Sequence, residues 1–226
     1  MDLIICAATE SEWMPACTSI NEQKIALDPS LNVRFVRTGV GMLASAISLT
    51  RLVCTEKPDL IIQAGIAGCF NQALELGEVV VVNEEIAGDT GVQENGLWKD
   101  LFDLGLQKEN DSPFLHKTLP NPWLDKLNLL NLKTVNAITV NQISTDTERI
   151  RQLQEKYKAT LESMEGAALH YIGRTMQIPF IQIRSVSNAI GERDKSKWKM
   201  KESIDQLNQT ILNYVHLLPG ILPLPQ

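Results

Sequence analysis

The sequence is poor in the features that mark several common classes of protein. Aromatic residues make up 5% of its 226 residues, and its 21 basic residues are outnumbered by 27 acidic ones, which gives a formal net charge of -6. A protein that binds nucleic acid through the phosphate backbone needs a basic face that displaces counterions. The charge balance therefore argues against a nucleic-acid partner. One local basic cluster is an exception and consists of Lys195, Lys197, Lys199 and Lys201.

Long apolar runs are absent as well. No stretch approaches the roughly 20 apolar residues that a membrane-spanning helix needs. The segment MDLIICAATE carries Asp2 where a signal peptide has basic residues, and its apolar run is too short for such a peptide. We therefore expect a cytoplasmic protein that has no membrane partner.

Cysteine and histidine are scarce, and their spacing is not that of metal ligands. Cysteines in apolar or helical surroundings indicate buried, reduced thiols. We therefore expect neither a metal site nor a cofactor, and we expect His170 to be packed or solvent-facing instead of a ligand. The residues of both types are Cys6, Cys17, Cys54, Cys69, His116, His170 and His216.

Strand-like and helix-like segments alternate along most of the chain. Apolar or β-branched runs predict strands at 3–8, 33–38, 60–64, 79–86, 135–140, 159–164 and 178–186, and apolar spacing predicts helices at 42–54, 145–157 and 197–217. The apolar stripe of the last helix consists of Trp198, Ile204, Leu207, Ile211 and Val215. Alternation without a break in composition predicts one three-layer α/β domain over residues 1–226.

Two segments depart from this pattern. Residues 92–133 are irregular and contain Trp98, Trp123 and several prolines, so we interpret them as an insertion or a lid. The proline-rich residues 219–226 predict an irregular terminal arm.

Polar residues follow two of the predicted strands. Glu165 comes directly after the run 159–164, and Asn188 comes shortly after the run 178–186. Ligands of α/β proteins bind at the carboxyl ends of strands. The two polar residues are therefore candidates for a binding site.

Three turns also have recognisable chemistry. Thr9 and Glu12 have the spacing of a capping box, which would open a helix. Gly39 and Gly41 permit a tight turn from a strand to a helix, and the segment 65–68 predicts a glycine-containing loop after the third strand.

Several separated motifs match one protein family in the right order. They are ATESE after the first strand, TGVGM, AGIAG, LGEVVVVNE, SMEGAA and RSVSN. With these motifs the chain resembles the nucleoside phosphorylase and nucleosidase superfamily, specifically its small bacterial nucleosidases. The resemblance implies an α/β/α domain with a central mixed sheet. The segment RSVSNAIGERD is similar to that of the futalosine hydrolases, enzymes of menaquinone biosynthesis that release hypoxanthine from a nucleoside.

The resemblance implies roles for two carboxylates. Cleavage of an N-ribosidic bond passes through a cationic sugar, so it needs a base that activates water and an anion near the ribose. Glu12 occupies the family position of the water-activating residue, and Glu165 occupies that of the residue that hydrogen-bonds the ribose hydroxyls. Taken alone, Glu12 also fits a helix-capping residue, and Glu165 also fits a surface acid at a helix N-terminus.

Asn188 differs from the residue of the adenine-releasing relatives, which carry an aspartate that protonates the purine. An asparagine amide donates and accepts hydrogen bonds but is not an acid, and this pattern suits a 6-oxopurine such as hypoxanthine. The proton donor to the departing base is then open. Asp194 is the first candidate and Glu192 the second, although their segment also fits a solvated charged loop.

The remaining substrate contacts follow from the resemblance. Ile66 stands where relatives often have a hydroxyl group, and no arginine follows the first strand, so water is favoured over phosphate as the nucleophile. Arg37 and Arg184 are alternatives that would bind phosphate, although Arg184, which opens the motif RSVSN, also fits a structural role. The residues that we expect at the substrate are Gly41, Ile66, Ala67, Gly68, Met164, Ser187 and Arg193.

Futalosine carries an aromatic carboxylate on its ribose side chain, so the resemblance predicts an apolar slot that ends in a cation. Arg193, Lys195 or Lys197 would supply the cation. Trp98 or Trp123 would cover the ring, although a tryptophan is more often core or interface material.

Two other functions remain open. One is a methylthioadenosine or adenosylhomocysteine nucleosidase, which Asn188 disfavours. The other is a nucleoside-binding protein without turnover, which the presence of both Glu12 and Glu165 disfavours. The expected partners are a nucleoside and water. The resemblance also implies a homodimer or a larger homo-oligomer in which a neighbouring subunit closes the site.

Overall fold

The structure is a computed structural model that describes residues 1–22, 26–70 and 74–221. Its strands are β1 (Asp2–Ala7), β2 (Asn32–Arg37), β3 (Leu60–Cys69), β4 (Val79–Ala87), β5 (Gly91–Glu94), β6 (Leu97–Asp100), β7 (Leu119–Pro120), β8 (Thr134–Thr139), β9 (Leu161–Ser163) and β10 (Phe180–Ala189). Its α-helices are α1 (Met14–Asn21), α2 (Met42–Glu56), α3 (Leu124–Leu127), α4 (Thr147–Tyr157), α5 (Gly166–Met176) and α6 (Met200–Leu217).

Within these ranges, eight strands form one sheet, and β5 and β6 form a separate hairpin. The strands β2, β1 and β3 are parallel neighbours. Beyond them, β3, β10, β4, β8 and β9 pair in this order, and β9 pairs again with β3, so the five strands close into a ring. The pairs β10–β4 and β3–β9 are antiparallel, whereas the other pairs of the ring are parallel. This arrangement confirms the expected mixed sheet.

The side chains of β1 show why helices cover both faces of the sheet. Successive side chains of a strand point to opposite faces. Leu3 and Ile5 belong to a core cluster that they share with α1 and α6, whereas Ile4 and Cys6 belong to a second cluster with α2 and α5. A continuous apolar run in one strand therefore packs against the helices on both faces of the sheet. The predicted three-layer α/β class is confirmed.

Two strands extend further than predicted. β3 continues through Gly65 and Gly68 to Cys69, so the expectation of a loop at 65–68 is wrong. β10 continues through Asn188, which pairs with Gly68 after a bulge at Ser187. The pairing supplies backbone hydrogen bonds where glycine alone would favour a turn. Four of the predicted substrate contacts, Ile66, Ala67, Gly68 and Ser187, therefore lie on strands, which position them more precisely than a loop would.

The last helix begins later than predicted. Residues Lys195–Lys197 form a single 3-10 turn, and α6 begins at Met200. Three members of the predicted apolar stripe are buried against the sheet, namely Leu207, Ile211 and Val215. Trp198 lies before the helix and does not belong to this buried stripe.

The irregular segment 92–133 is partly built into the core. Leu119 of β7 and Leu124 and Leu127 of α3 are buried, and β7 pairs with β4. The interpretation of the whole segment as an insertion is therefore too broad. Of the predicted terminal arm, residues 218–221 form a 3-10 turn and residues 222–226 lie outside the described residues.

The cysteines are only partly placed as expected, whereas His170 is packed. Cys6 and Cys69 are buried, but Cys54 is exposed and Cys17 is partly exposed. His170 is buried, with Nδ1 2.6 Å from the carbonyl oxygen of Leu119, and burial lowers its pKa to about 3. It is therefore a packed, neutral side chain. Among the helices of the described ranges, none is both long and apolar enough to cross a bilayer.

Candidate active site

A cavity of about 370 Å³ opens where β3, β9 and β10 end, a size typical of pockets that hold small molecules. It contains all of the predicted site residues except Gly41 and Asp194. The predicted residues that line it are Glu12, Ile66, Ala67, Gly68, Met164, Glu165, Ser187, Asn188 and Arg193. Among the described residues that line it, none belongs to the segment 92–133, whose role as a lid stays a prediction.

Glu12 makes the contacts of a capping box and also lines the cavity. Its Oε2 accepts hydrogen bonds from Thr9 N at 2.9 Å and Thr9 Oγ1 at 3.0 Å, which is the capping-box contact. Its Oε1 accepts from Ile66 N at 3.1 Å, across the sheet on β3. Each carboxylate oxygen has two acceptor positions, so the buried carboxylate is fixed and still able to accept from a water molecule.

Glu165 is held at the N-terminus of α5 by two distant elements. Its Oε1 accepts a hydrogen bond from Gly41 N at 3.0 Å, and its Oε2 lies 3.7 Å from Arg184 Nη1. Gly41 has a φ of +91°, which favours glycine, so the turn before α2 presents its N–H to the carboxylate. Gly41 therefore acts on the site through Glu165. Glu165 is buried and is not the exposed surface acid that its position also allowed.

Arg184 is the buried cation of the site. Its Nη2 donates to Gln63 Oε1 at 3.1 Å, and only 2% of its side chain is exposed. A Cβ on Gly65 would collide with the guanidinium group and would lie 3.2 Å from Glu12 Oε1. Glu12, Arg184 and Glu165 thus meet over Gly65. Arg184 faces this carboxylate pair and does not line the cavity, which disfavours its alternative role as a phosphate ligand.

Arg37 is the other arginine that we considered for phosphate. It is exposed and lines an open depression that adjoins the cavity, since Ala8, Thr9 and Val40 line both. The structure therefore leaves it outside the cavity that contains both catalytic candidates.

A buried polar network supports the start of α5. Glu85 is fully buried and accepts hydrogen bonds from Gln182 Nε2 at 2.8 Å and from Thr139 Oγ1 at 2.9 Å. Thr139 Oγ1 in turn accepts from Ala167 N at 2.7 Å, in the first turn of the helix. Burial raises the pKa of Glu85 to about 7. The network fixes the helix end from which Glu165 projects.

Asn188 keeps part of its hydrogen-bonding capacity for a ligand. Its Oδ1 accepts from Ser187 Oγ at 2.7 Å, and its Nδ2 donates to the carbonyl oxygen of Ala189 at 2.9 Å. Each contact uses one of the two positions on its atom. One N–H and one acceptor position of the half-buried amide remain for a ligand.

Neither candidate proton donor has the properties of an acid catalyst. Asp194 is exposed, accepts from Ser196 N and Oγ, and does not line the cavity; these hydrogen bonds lower its pKa. Glu192 lines the cavity, but its contact with Lys197 Nζ at 2.7 Å lowers its pKa. A general acid near neutral pH needs a raised pKa. The structure therefore offers no support for either candidate as the acid.

The aromatic side chain at the cavity is a different one from those predicted. Trp98 donates to Tyr157 Oη at 2.9 Å in the hairpin region, and Trp123 packs edge-on against Phe180. Neither lines the cavity. Trp198 does, because α6 begins only after it. Its indole Nε1 donates to the carbonyl oxygen of Glu192, while the Arg193 guanidinium lies 5.7 Å from its ring centre.

Sequence reasoning also missed Glu162, a third buried carboxylate in the cavity. It lies in β9, and its Oε1 accepts from Ser144 N at 3.0 Å. Burial raises its pKa, while Ser144 and Arg149 beside it oppose the rise. The signal was a charged residue within the run 159–164, which we read as uniformly apolar.

Comparison with known proteins identifies the family of this chain. Futalosine hydrolase of Thermus thermophilus is 27% identical over 179 residues, which cover 78% of each chain. The 5'-methylthioadenosine/S-adenosylhomocysteine nucleosidase of Tolumonas auensis is 26% identical over 173 residues, or 74% of this chain and 73% of the relative. The two kinds of enzyme are therefore similar to this chain at nearly the same level.

Solved structures share the fold over almost the whole chain. A 5'-methylthioadenosine/S-adenosylhomocysteine nucleosidase from Colwellia psychrerythraea, in complex with adenine, has a TM-score of 0.74 at 21% identity and covers 96% of each chain. A futalosine hydrolase mutant from Helicobacter pylori also has a TM-score of 0.74, at 16% identity, and covers 98% of this chain and 100% of its own. The sequence model of the Phosphorylase superfamily matches residues 29–216. Because this match covers most of the chain, the protein belongs to the phosphorylase superfamily.

Proposed function

We propose that the protein is a nucleosidase that hydrolyses futalosine to hypoxanthine and dehypoxanthine futalosine. The observation that carries the hydrolase part is the meeting of Glu12 and Glu165 beside Arg184, at one wall of a nucleoside-sized cavity. Relatives named as nucleosidases support the same reaction class. Asn188 supports hypoxanthine as the base. Arg193 and Trp198 support the aromatic carboxylate of futalosine as the substituent on the sugar.

In the proposed reaction, Glu12 activates the water and Glu165 stabilises the sugar cation of the same transition state. Glu12 Oε1 has one acceptor position left and accepts a proton from the attacking water, whose oxygen bonds to C1'. The base departs as its anion and takes up a proton from the solvent. Glu165 accepts hydrogen bonds from the ribose hydroxyls as the C1'–N9 bond breaks and the sugar becomes cationic. Its negative charge then stabilises a positive charge that is absent from the ground state.

Asn188 supports hypoxanthine as the departing base. Its remaining N–H and acceptor position match the acceptor and donor atoms of a 6-oxopurine. It has no acidic proton to give to adenine, so a methylthioadenosine or adenosylhomocysteine nucleosidase is the second candidate. The similarity to relatives of that name keeps this candidate in the test.

The test is an incubation of the protein with futalosine, methylthioadenosine and inosine, each without and with phosphate, followed by chromatography of the released base. We expect hypoxanthine from futalosine at a rate that does not depend on phosphate. Release of adenine would support the second candidate, and a requirement for phosphate would make the protein a phosphorylase. Tight binding of futalosine without release of a base would leave a nucleoside-binding protein.

Arg193 is the proposed contact of the substrate carboxylate. It lies at the cavity next to Trp198, whose ring would face the aromatic ring of the substrate tail. We predict that Arg193→Ala raises the Michaelis constant for futalosine about tenfold and leaves that for inosine within about twofold, because inosine has no carboxylate. Steady-state kinetics with both nucleosides measures the ratio.

Lys195→Ala is the matched control for Arg193→Ala, because Lys195 is an exposed cation of the same segment that does not line the cavity. It should leave both Michaelis constants unchanged. Equal effects of Arg193→Ala on the two nucleosides would remove Arg193 from recognition of the tail.

The proposed homodimer, or larger homo-oligomer, has a surface that suits it. Leu43 and Ile47 are 73% and 62% exposed on one side of α2, and Val40 beside them is 59% exposed. Apolar patches of this kind mark interaction sites. Val40 also lines the cavity, so a neighbouring subunit on this face would adjoin the mouth of the site.

A further inference from the structure

A buried chain of polar side chains lies beneath the start of α5. Glu85 accepts hydrogen bonds from Gln182 Nε2 at 2.8 Å and from Thr139 Oγ1 at 2.9 Å, and all three side chains are buried. A Cβ on Gly166, the first residue of α5, would collide with Glu85 and with Gln182. The helix therefore rests directly on this pair, one residue after Glu165.

Two buried acceptors in this chain of side chains are unpaired. They are Gln182 Oε1 and His170 Nε2, neither of which has a hydrogen-bond partner among the described residues. His170 Nδ1 lies 2.6 Å from the carbonyl oxygen of Leu119, so Nδ1 carries the ring proton and Nε2 is an acceptor. Burial lowers the pKa of His170, and Gln182 beside the ring opposes this effect. The two acceptors thus belong to neighbouring side chains, and unpaired acceptors are rare in protein interiors.

One rearrangement of protons pairs both acceptors without moving the backbone. Half a turn of the Gln182 amide exchanges its oxygen and its nitrogen within the same space. The amide then donates to His170 Nε2, and its oxygen faces Glu85. A carboxylate there would place two acceptors together, so Glu85 carries a proton and donates it to that oxygen. Thr139 Oγ1 still donates to the other oxygen of Glu85.

The charges around Glu85 also favour the protonated form. Both of its hydrogen bonds come from uncharged side chains, and Arg184, the buried cation nearby, is paired with Glu165. Burial raises the pKa of Glu85 to about 7, against the opposing effects of Gln182, Arg184 and Thr139, and the charge of Glu165 adds to the rise. The turned amide removes the opposition of Gln182. An uncharged Glu85 then leaves Arg184 to the carboxylates of the site.

We infer that Glu85 is a positioning residue that acts as a neutral carboxylic acid, which donates to Gln182, accepts from Thr139 and so fixes the helix start that carries Glu165. The link to the helix is Ala167 N, which donates to Thr139 Oγ1 at 2.7 Å. Glu85 does not line the cavity and acts through Glu165. The inference rests on the proposed function and deepens it, because Glu165 is the residue that is positioned.

Glu85→Gln tests the protonation of Glu85 through stability, without an assay of activity. Glutamine keeps a donor for Gln182 and an acceptor for Thr139 but does not titrate. The ordinary pKa of 4.5 applies to Glu85 in the unfolded chain, and in the folded protein it is raised to about 7. The folded protein therefore binds more protons between these values, and its stability falls as the pH rises through this range.

The melting temperature of the wild-type protein should accordingly fall relative to that of Glu85→Gln between pH 4.5 and about 7, and the difference should be constant above that range. The groups that face Glu85 are the same in both proteins, namely Arg184 on β10, Glu165 at the start of α5 and, beyond Gln182, His170. His170 stays uncharged throughout, because its pKa is about 3. A difference that does not change over this range would overturn the inference.

Kinetics with futalosine tests the positioning. Glu85→Leu leaves Thr139 and Gln182 without their partner, and we predict that it lowers kcat by roughly 10- to 100-fold at a nearly unchanged KM, as a small misplacement of a catalytic group does. Glu85→Gln should retain nearly the wild-type kcat. Thr139→Val removes the link to Ala167 N in a side chain of similar shape and should show the loss of Glu85→Leu, even if that variant does not fold. Wild-type kcat in both variants would overturn the inference.

Glu84→Leu is the matched control. Glu84 precedes Glu85 on β4, points to the other face of the sheet and also accepts two hydrogen bonds, from Asn136 Nδ2 at 2.7 Å and from Thr118 Oγ1 at 2.9 Å. It should lower the melting temperature without lowering kcat. An equal loss of kcat in Glu84→Leu and Glu85→Leu would refute the positioning role.

The two experiments separate this inference from the proposed function. If the wild-type protein releases no base from futalosine, methylthioadenosine or inosine, the proposed function fails. The pH dependence of the melting temperature still decides whether Glu85 is the neutral acid.

Discussion

Glu165→Gln is expected to lower kcat by about 10²- to 10³-fold, the range seen when one preorganised electrostatic contact to a transition state is removed. The glutamine amide can still accept from Gly41 N–H, so the side chain keeps its place. What it loses is the negative charge that faces the cationic sugar. Binding of the ground-state nucleoside should change much less, and steady-state kinetics separates the two effects.

The same substitution leaves Arg184 without its charged partner. A buried guanidinium group that loses its counter-charge destabilises the fold, so a lower melting temperature is expected beside the loss of activity. Gln63→Leu is a suitable control, because it removes another contact of Arg184, the hydrogen bond from Nη2 at 3.1 Å, and leaves the carboxylate in place. Activity of Glu165→Gln within tenfold of the wild-type value would contradict the assigned role.

Much of the fold was accessible from the sequence. β1 was predicted within one residue at each end because its apolar run is continuous, and the start of α2 followed from the glycines before it. β3 and β10 were predicted too short. Their last residues include Gly68, Ser187 and Asn188, which line a cavity instead of a core, and local propensity favours a turn there. The tertiary pairing outweighs this preference.

The candidate site was accessible only in part. Glu12, Glu165 and Asn188 were found because each lies in a short motif of a known family. Glu162 was missed because it lies within the run 159–164, which was interpreted as apolar, and only the strand order brings it beside Gly68, which is distant in the chain. The ion pair of Arg184 with Glu165 was not predicted for a similar reason. The sequence does not say that Gly65 leaves room for its guanidinium group next to Glu165.

Trp198 shows how a helix boundary changes a functional prediction. Apolar spacing placed it in the buried stripe of the last helix, together with Leu207. The helix begins at Met200, however, and the 3-10 turn before it directs the indole ring to the cavity. Spacing alone could not reveal this, because the same residue satisfies a helical pattern whether or not the helix includes it.

Glu12→Gln is expected to lower kcat by about 10²- to 10⁴-fold, the contribution typical of a general base, with little change in the Michaelis constant. The amide accepts hydrogen bonds but takes no proton from water at neutral pH. Its oxygen can keep the contact with Thr9 N, but its amide nitrogen then faces Ile66 N–H, which loses its acceptor, so a lower melting temperature is expected beside the loss of activity. Single-turnover kinetics with excess enzyme measures the chemical step directly.

Thr9→Val separates this role from that of a helix cap. It removes the 3.0 Å hydrogen bond from Thr9 Oγ1 to Glu12 Oε2 and leaves both the carboxylate and the backbone N–H contact in place. If Glu12 served only to close the turn, Glu12→Gln and Thr9→Val would show similar, modest losses of activity and stability. If it activates water, Thr9→Val should retain most of the activity, because the carboxylate is still held by Ile66 N on the strand that floors the cavity.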